Sequence, residues 1–266
     1  MQHRKKVELP FYYSREEKLF HLVAEMNDEP GDLASLLAAL KSKVTLIGHT
    51  GYSVGGGRAV FSAFGRIVSP SDTPESIQKL VAKLDGVLEC EVTPGNKGLL
   101  VDSFHHGLQT YDGEPGLLLP TRVLVSTFER MERRFGSGAK IILYEQGRDY
   151  AKSRWSLLKA AVPDANTRMD EVAAIVGAVG WAVVGISYGQ GGKTMKLVNK
   201  ECFECTGRTR GNGCDFLRGM AVGLAEAVFG REMTGVETRC LLSGGEACEF
   251  VVSARDGLPL VSIARN

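Results

Sequence analysis

Five of the six cysteines in this chain of 266 residues lie close together in the sequence. They are Cys202, Cys205, Cys214, Cys240 and Cys248. Such a concentration predicts that the thiols share a metal ion, form pairs, or carry out redox chemistry. A disulfide framework is not expected, because nothing in the sequence marks secretion and disulfides persist in oxidising compartments.

The spacing around Cys214 favours the metal site. Cys214 precedes an apolar run with helical periodicity, and a helix N-terminus favours a thiolate through its dipole and free N–H groups. Two strand-like runs follow, and the Ser-Gly-Gly between them predicts a hairpin with Cys240 and Cys248 near its turn. Glu237 lies three residues before Cys240. Because Zn²⁺ accepts thiolates and a carboxylate in a tetrahedral set, these residues form a candidate zinc site.

The same pattern resembles the zinc site of the 4-vinyl-reductase-type (4VR) domain. The matching features are a cysteine before a glycine-rich helix, Glu-x-x-Cys, and a final cysteine in Gly-Gly-Glu-Ala-Cys-Glu-Phe. The resemblance covers residues 98–253 and implies that the ligands of a structural zinc are Cys214, Glu237, Cys240 and Cys248. Four protein ligands leave no open position for a catalytic water, so we do not expect hydrolysis at this metal.

The family that carries this domain implies a fold and a function. It includes phenol- and toluene-sensing transcriptional activators and a bacteriochlorophyll-synthesis protein, and it is distantly similar in fold to subunits of the TRAPP vesicle-tethering complex. The resemblance implies helices packed on a four-stranded antiparallel sheet, with a pocket for a small apolar or aromatic molecule. Aromatic-sensing members hold their ligand with a histidine and a tryptophan, whereas this chain has no histidine after His106. Phenol is therefore not the expected ligand.

Cys202 and Cys205 lie outside that ligand set. They fall in and just after a strand predicted over residues 194–203. Residues three apart on a regular strand face opposite sides, so the two thiols can share a metal only if the strand bulges or ends there. Three interpretations stay open, namely ordinary buried thiols, a redox pair or second metal site, and an iron–sulfur cluster.

Residues 18–95 predict a ferredoxin-like unit of order strand–helix–strand–strand–helix–strand. The predicted strands are 18–26, 44–53, 58–68 and 87–93, and the predicted helices are 32–43 and 71–86. Its first loop resembles the ACT domain, a regulatory module that often pairs side by side and binds amino acids. The resemblance implies a ligand loop made of Asn27, Asp28, Pro30, Gly31 and Asp32. An ordinary strand-to-helix turn is the alternative.

The second half of the chain predicts helices followed by alternating strands. Helices are expected over residues 120–135, 139–145, 147–161 and 167–179, and strands over 181–188, 194–203, 235–242 and 246–253. The predicted cap of the last of these helices is Asn166 or Thr167. The chain is therefore predicted to be α+β, with a tail over residues 1–17, an ACT-like domain over 18–95 and a zinc-containing domain over 96–266.

Composition and motifs restrict the function. The formal net charge of +1 argues against a dominant nucleic-acid surface, and no apolar run reaches the roughly 18 residues of a membrane span. No catalytic constellation is evident, and of the adjacent His105 and His106 only one can line a pocket. We therefore expect a cytoplasmic regulatory homodimer that binds a small molecule and acts through another protein. The alternatives are a tetrapyrrole carrier or enzyme, an iron–sulfur or thiol redox protein using Cys202 and Cys205, and a scaffold.

Overall fold

A computed structural model of the chain divides it into two compact units, residues 1–117 and 118–266. The described residues are 11–13, 19–95, 99–102, 104–105, 108–109, 114–162, 164–189, 193–208 and 213–254. The predicted domain bounds at residues 95 and 96 stay a prediction, because a compact unit and a family domain need not coincide. Most of the predicted tail, and His106, lie outside the described residues.

The first unit contains a four-stranded antiparallel sheet of order β3-β4-β2-β5. Its elements are β1 (Phe11–Tyr13), β2 (Leu19–Asn27), α1 (Asp32–Leu40), β3 (Val44–Gly55), β4 (Arg58–Ile67), α2 (Pro74–Val81), β5 (Val87–Pro94), β6 (Leu99–Val101), β7 (Leu108–Gln109) and β8 (Pro115–Gly116). The predicted order of strands and helices is confirmed from β2 to β5. The resemblance of this unit to an ACT domain stays a prediction.

One face of β2 packs on the two helices of the first unit. The alternate residues Phe20, Leu22 and Ala24 are fully buried, and Leu36 of α1 and Ile77 of α2 belong to the same core. Alternation along a strand gives one face to the helices, and burying each large aliphatic side chain contributes about 1.5–3 kcal/mol. This core explains why the apolar pattern alone predicted the unit.

Local capping makes α2 shorter than predicted. The Thr73 hydroxyl accepts a hydrogen bond from the backbone N–H of Ser76, and the Ser76 hydroxyl accepts one from the N–H of Thr73. Pro74 occupies the first helical turn, where its missing N–H costs nothing. The helix therefore begins at Pro74 and ends at Val81, whereas the prediction of residues 71–86 included the flanking turns.

The second unit contains a four-stranded antiparallel sheet, as the sequence analysis predicted, and its strand order is β11-β12-β10-β9. Its elements are α3 (Thr121–Phe135), α4 (Ser137–Ala161), α5 (Ala165–Ala178), β9 (Val183–Tyr188), β10 (Thr194–Lys200), α6 (Asp215–Phe229), β11 (Met233–Arg239) and β12 (Cys248–Ala254). Helix α6 packs on β11 and β12 and against α4. None of the described helices is long and apolar enough to cross a membrane.

The predicted helices 139–145 and 147–161 are one continuous helix, α4, so that prediction was wrong. Gly147 does not interrupt it. A Cβ atom at Gly147 would overlap the carbonyl oxygen of Phe216, and one at Gly219 would overlap the carbonyl oxygen of Tyr144. The two glycines therefore let the backbones of α4 and α6 touch. Gly147 is required by this contact between helices, although in the sequence it resembles a helix break.

Two further boundaries correct the sequence analysis. Helix α5 is capped by Asp164, whose carboxylate accepts the N–H of Thr167 at 2.7 Å, so the predicted cap at Asn166 or Thr167 was wrong. Strand β10 ends at Lys200, not at residue 203. There, Glu201 adopts a positive φ of 53°, rare for a residue other than glycine, and turns the chain away from the sheet.

The connection between β11 and β12 is longer than the predicted hairpin turn. A short 3₁₀ turn, Leu241–Ser243, follows Cys240, and the N–H groups of Ser243 and Gly245 both donate to the Cys240 carbonyl oxygen. Gly244 has a φ of 83°, in the left-handed region that favours glycine. Cys240 consequently lies just after β11 and Cys248 opens β12.

Candidate metal centre

The N-terminus of α6 is buried and capped by a distant carboxylate. Glu204 is 1% exposed, and its two oxygens accept the backbone N–H groups of Phe216 at 3.2 Å and Leu217 at 2.7 Å. These N–H groups belong to the first turn, where a helix leaves donors without intrahelical partners. Burial raises the pKa of the Glu204 carboxyl to about 8, although the two N–H groups favour its charged form. Glu204 thereby fixes the segment around it to the start of α6.

Glu204 lies between Cys202 and Cys205 in a short 3₁₀ turn, Phe203–Cys205. The Cys205 N–H donates to the Cys202 carbonyl oxygen at 3.2 Å. A second anchor is Arg208, whose side chain is 3% exposed and pairs with two glutamates of α3, Glu129 and Glu132. The turn is therefore held on one side by α6 and on the other by α3.

The five clustered cysteines bring their sulfur atoms together at this turn. The Cys205 sulfur lies 3.4 Å from that of Cys214, 3.8 Å from that of Cys240 and 3.5 Å from that of Cys248. The other close pairs are Cys202–Cys214 at 3.6 Å, Cys214–Cys248 at 3.7 Å and Cys240–Cys248 at 3.9 Å. A tetrahedral ion with Zn–S bonds of about 2.3 Å places its sulfurs about 3.8 Å apart, so the spacing fits one ion. We call these five residues the thiol cluster.

Two sets of four residues in this region have ligand atoms within 4.8 Å of one another. One is the set predicted from the sequence, Cys214, Glu237, Cys240 and Cys248. The other consists of Cys202, Cys205, Cys214 and Cys248, all buried. The structure thus brings all six residues to one place, whereas the sequence analysis left the position of Cys202 and Cys205 open.

Glu237 is the carboxylate of the predicted set. Its Oε2 accepts the backbone N–H of Cys214 at 2.9 Å, and its Oε1 is buried without a hydrogen-bond partner among the described residues. Burial raises the pKa of this carboxyl. A buried oxygen without a donor is a suitable partner for a cation or for a protonated thiol.

The thiols differ in how readily they ionise. Hydrogen bonding lowers the pKa of Cys248 to about 7, with Cys202 as the main contributor. Burial, with Glu237 nearby, raises the pKa of Cys240. Hydrogen bonding within the cluster also lowers the pKa of Cys205 and raises the pKa values of Cys202 and Cys214. The cluster therefore combines two thiols that ionise readily with three that resist ionisation.

An aromatic cluster lies beside the thiol cluster in the core of the second unit. We use this name for Phe128, Trp181, Phe203 and Phe216. The centroids of Trp181 and Phe216 are 5.5 Å apart in an edge-to-face arrangement, and those of Phe203 and Phe216 are 5.9 Å apart. Phe203 lies between two cysteines in sequence, and Phe216 follows Cys214 by two residues. The rings and thiols therefore share the same backbone segments.

A separate polar cluster lies on the first unit's sheet. His21 is 2% exposed, and its Nε2 is 2.8 Å from the hydroxyl oxygen of Ser62 and 4.0 Å from Asp102. His105 contacts Asp102 through Nδ1 at 2.6 Å and the Tyr52 hydroxyl through Nε2 at 2.6 Å. Burial lowers the pKa of His21, against the opposing charge of Asp102. His105 is thus engaged in a network that the sequence analysis did not foresee.

The predicted amino-acid loop is exposed. Residues 28–31 are all exposed, Gly31 has a φ of 107°, and no side chain caps α1 among the described residues. The N–H of Asn27 donates to the Gly86 carbonyl oxygen, and that of Asp28 donates to Gly57. Ligand binding by this loop stays a prediction.

Sequence analysis missed Glu204, which connects the predicted metal site to Cys202 and Cys205. Its signal was weak, since a glutamate between two cysteines gives no indication of a helix that starts at Asp215. Asp215 itself looks like a first-turn acid, yet its carboxylate pairs with Arg218 at 2.8 Å. The cap therefore comes from a distant residue.

Comparison with protein families matches residues 195–254 to the V4R domain. This range contains the whole thiol cluster and α6. Comparison with curated proteins gives no match.

Several solved structures resemble the chain at low identity. The phenol-responsive sensory domain of the transcription activator PoxR with phenol is 14% identical, over 57% of this chain and 85% of that one, with a TM-score of 0.48. A vinyl-4-reductase family protein from Methanocaldococcus jannaschii is 18% identical over 52% and 83%, with a TM-score of 0.34. A trafficking protein particle complex subunit 3 from Naegleria fowleri, covalently bound to palmitic acid, is 11% identical over 50% and 93%, with a TM-score of 0.37. Residues 195–254 are thus similar to the V4R domain, which confirms that part of the resemblance found in the sequence.

Proposed function

We propose that the chain is a regulatory protein that binds a small apolar or aromatic molecule in its second unit. The observation that carries this proposal is the attachment of the aromatic cluster to the thiol cluster. A molecule that contacts Phe203 or Phe216 touches the segments that hold Cys202, Cys205 and Cys214. Binding in such a place changes the packing around a metal centre, and this gives a sensor a physical signal.

We further propose that a single Zn²⁺ ion stabilises this unit at the thiol cluster. The fit rests on the donors, which are buried sulfurs 3.4–3.9 Å apart. Zinc takes thiolates in a tetrahedral arrangement, and a filled structural site adds its binding energy to folding. A thiolate site of this kind suits the reducing cytoplasm, which is the proposed location.

The first unit is proposed to provide regulation by dimerisation or by amino-acid binding at residues 27–32. Leu33 and Leu37 on α1 are 43% and 37% exposed, which supports a contact with a second copy. The output is proposed to pass to a protein partner.

Tryptophan fluorescence can test the small-molecule proposal, because the chain has only Trp155 and Trp181. A Trp155→Phe variant leaves Trp181, a member of the aromatic cluster, as the only reporter. We expect toluene, as an apolar aromatic probe, to change its emission saturably, and we expect benzoate, a charged aromatic control, to have little effect. Replacing Phe216 with Leu should weaken toluene binding. A linear, unsaturable response to toluene in both proteins contradicts the proposal.

Thiol redox chemistry is a second candidate, favoured by the 3.6 Å and 3.4 Å separations of Cys202 and Cys205 from Cys214. Metal content and an absorption spectrum of protein purified without oxygen separate the candidates. One zinc and no visible band support the structural ion. Iron with a broad visible band supports an iron–sulfur protein. A bound coloured tetrapyrrole supports the carrier or enzyme alternative.

A further inference from the structure

We propose that the metal centre is an all-thiolate site built from Cys202, Cys205, Cys214 and Cys248, with Cys240 held beside the ion as a fifth thiol that does not bind it. This inference rests on the ion of the proposed function and specifies its ligands. It differs from the set predicted from the sequence, in which Glu237 and Cys240 take the places of Cys202 and Cys205.

The sulfurs of this set are buried and closely packed. Cys202, Cys214 and Cys248 are at most 2% exposed, and Cys205 is 9% exposed. Four of the six sulfur pairs in this set lie 3.4–3.7 Å apart. A small outward shift of each sulfur reaches the spacing of about 3.8 Å that one tetrahedral ion requires.

The C-x-x-C turn of Cys202 and Cys205 is held in a fixed position. Two cysteines in this spacing, on a tight turn, form half of many structural zinc sites. Here Glu204 ties the turn to the N-terminus of α6, two and three residues after Cys214. Arg208 ties its other end to α3. Burying the Glu204 carboxylate costs free energy that its two hydrogen bonds must offset, and the result is a fixed position for both thiols relative to Cys214.

Glu237 already has a role that does not require it to bind the ion. Its Oε2 accepts the backbone N–H of Cys214 and so orients that ligand residue, as carboxylates behind the ligands of metal sites often do. Its other oxygen has no partner among the described residues, and it lies in a group whose ligand atoms, including the Cys240 sulfur, are within 4.8 Å of one another. Glu237 thus holds the backbone of Cys214 through its Oε2, and the set of four thiols is complete without it.

Coordination number then leaves Cys240 outside the set. A structural zinc ion takes four ligands in a tetrahedral arrangement, and the sulfurs of Cys202, Cys205, Cys214 and Cys248 already supply four. The Cys240 sulfur, 3.8 Å from that of Cys205 and 3.9 Å from that of Cys248, is then a fifth thiol beside the ion.

Cobalt substitution in the full-length chain tests the ligand set, because the sulfur-to-cobalt charge-transfer absorption grows with the number of bound thiolates. The matched variants are Cys202→Ser and Cys240→Ser, which remove one sulfur each from the same cluster. We expect Cys240→Ser and Glu237→Gln to keep one ion per chain and the full absorption. We expect Cys202→Ser to lose roughly a quarter of it, one thiolate of four.

The opposite pattern overturns the inference: Cys202→Ser keeps the full absorption while Cys240→Ser lowers it. Two ions per wild-type chain overturn it as well, because two ions need all six donors. A wild-type protein that folds without a stoichiometric metal overturns the ion of the proposed function too. The two failures are therefore distinguishable.

Glu204 is a positioning residue in this arrangement. A Glu204→Leu change removes both acceptors from α6, so we expect the cobalt spectrum to approach that of Cys202→Ser. Glu204→Gln keeps one acceptor oxygen and should retain most of the absorption. Equal spectra in wild type and Glu204→Leu, with helix content unchanged by circular dichroism, contradict this role.

Discussion

Helices α1 and α6 begin in opposite environments. Helix α1 follows an exposed loop, with Gly31 at its start and no side-chain cap among the described residues. Helix α6 follows the buried residue Cys214, and Glu204 accepts two of its first N–H groups. Water screens the positive partial charge of an exposed helix N-terminus. A buried N-terminus is screened less and therefore favours a negative group, such as a thiolate ligand, more strongly. The difference explains why we propose a metal centre at α6, and only a weak ligand site at α1.

Removing the metal should have the largest effect. Structural zinc contributes an apparent free energy of about 10–16 kcal/mol at neutral pH, so a strong chelator should abolish the cooperative unfolding transition of the second unit. The first unit contains no member of the thiol cluster and should keep its transition. Differential scanning calorimetry with and without chelator measures both. If the chelator leaves the unfolding transition of the second unit unchanged, the proposed metal centre at the start of α6 is contradicted.

The contact between α4 and α6 gives the next effect. A Gly219→Ala change places a methyl group on the carbonyl oxygen of Tyr144, and overpacking of this kind costs about 1–3 kcal/mol. The control is Gly138→Ala in α4, where no atom lies within 4 Å of the added carbon. That change should stabilise the chain by about 0.5–1 kcal/mol, because alanine favours a helix over glycine. Urea denaturation of the two variants measures the contrast, and equal stabilities would contradict the close approach.

The buried polar group of the first unit predicts a pH effect. Burial lowers the pKa of His21, so the unfolded chain binds its proton more readily than the folded chain. The stability contributed by the neutral imidazole is present above the unfolded value of about 6.5 and is lost as pH falls below it, toward the folded pKa. Thermal unfolding between pH 5 and pH 8 should show this loss in the first unit.

The matched control for that effect is His21→Gln, which does not titrate but can still bond the Ser62 hydroxyl. Its pH dependence over the same range should be smaller than that of the wild type. An identical slope in both proteins would assign the titration to another group.

The last expected effect is at the start of α1, where a ligand would act on the first unit alone. If residues 27–32 bind an amino acid, a ligand at ten times its Kd raises the unfolding free energy of the first unit by about 1.4 kcal/mol. Thermal shift assays with each amino acid singly can detect this change. An Asp28→Ala variant should remove the shift, since Asp28 is exposed in the loop. No shift with any amino acid would leave the loop as a simple strand-to-helix turn.

Pattern-based prediction succeeded where the signal was local. The alternation of residues 18–26 predicted strand β2, and Phe20, Leu22 and Ala24 on one face of that strand are fully buried. It failed where a residue serves a distant neighbour. Gly147 was interpreted as a helix break, because the contact that requires glycine there is with α6, which lies far along the chain. Glu204 was overlooked for the same reason.

The spacing of Cys214, Glu237, Cys240 and Cys248 was sufficient to predict that these four residues meet, because a helix start and an antiparallel pair of strands are short-range structures. The place of Cys202 and Cys205 depended on long-range packing. The turn at Glu201 ends β10, and the bond from Glu204 to α6 then carries both thiols to Cys214. Spacing along a chain describes distances within an element, whereas contacts between elements arise only when their buried surfaces are packed together.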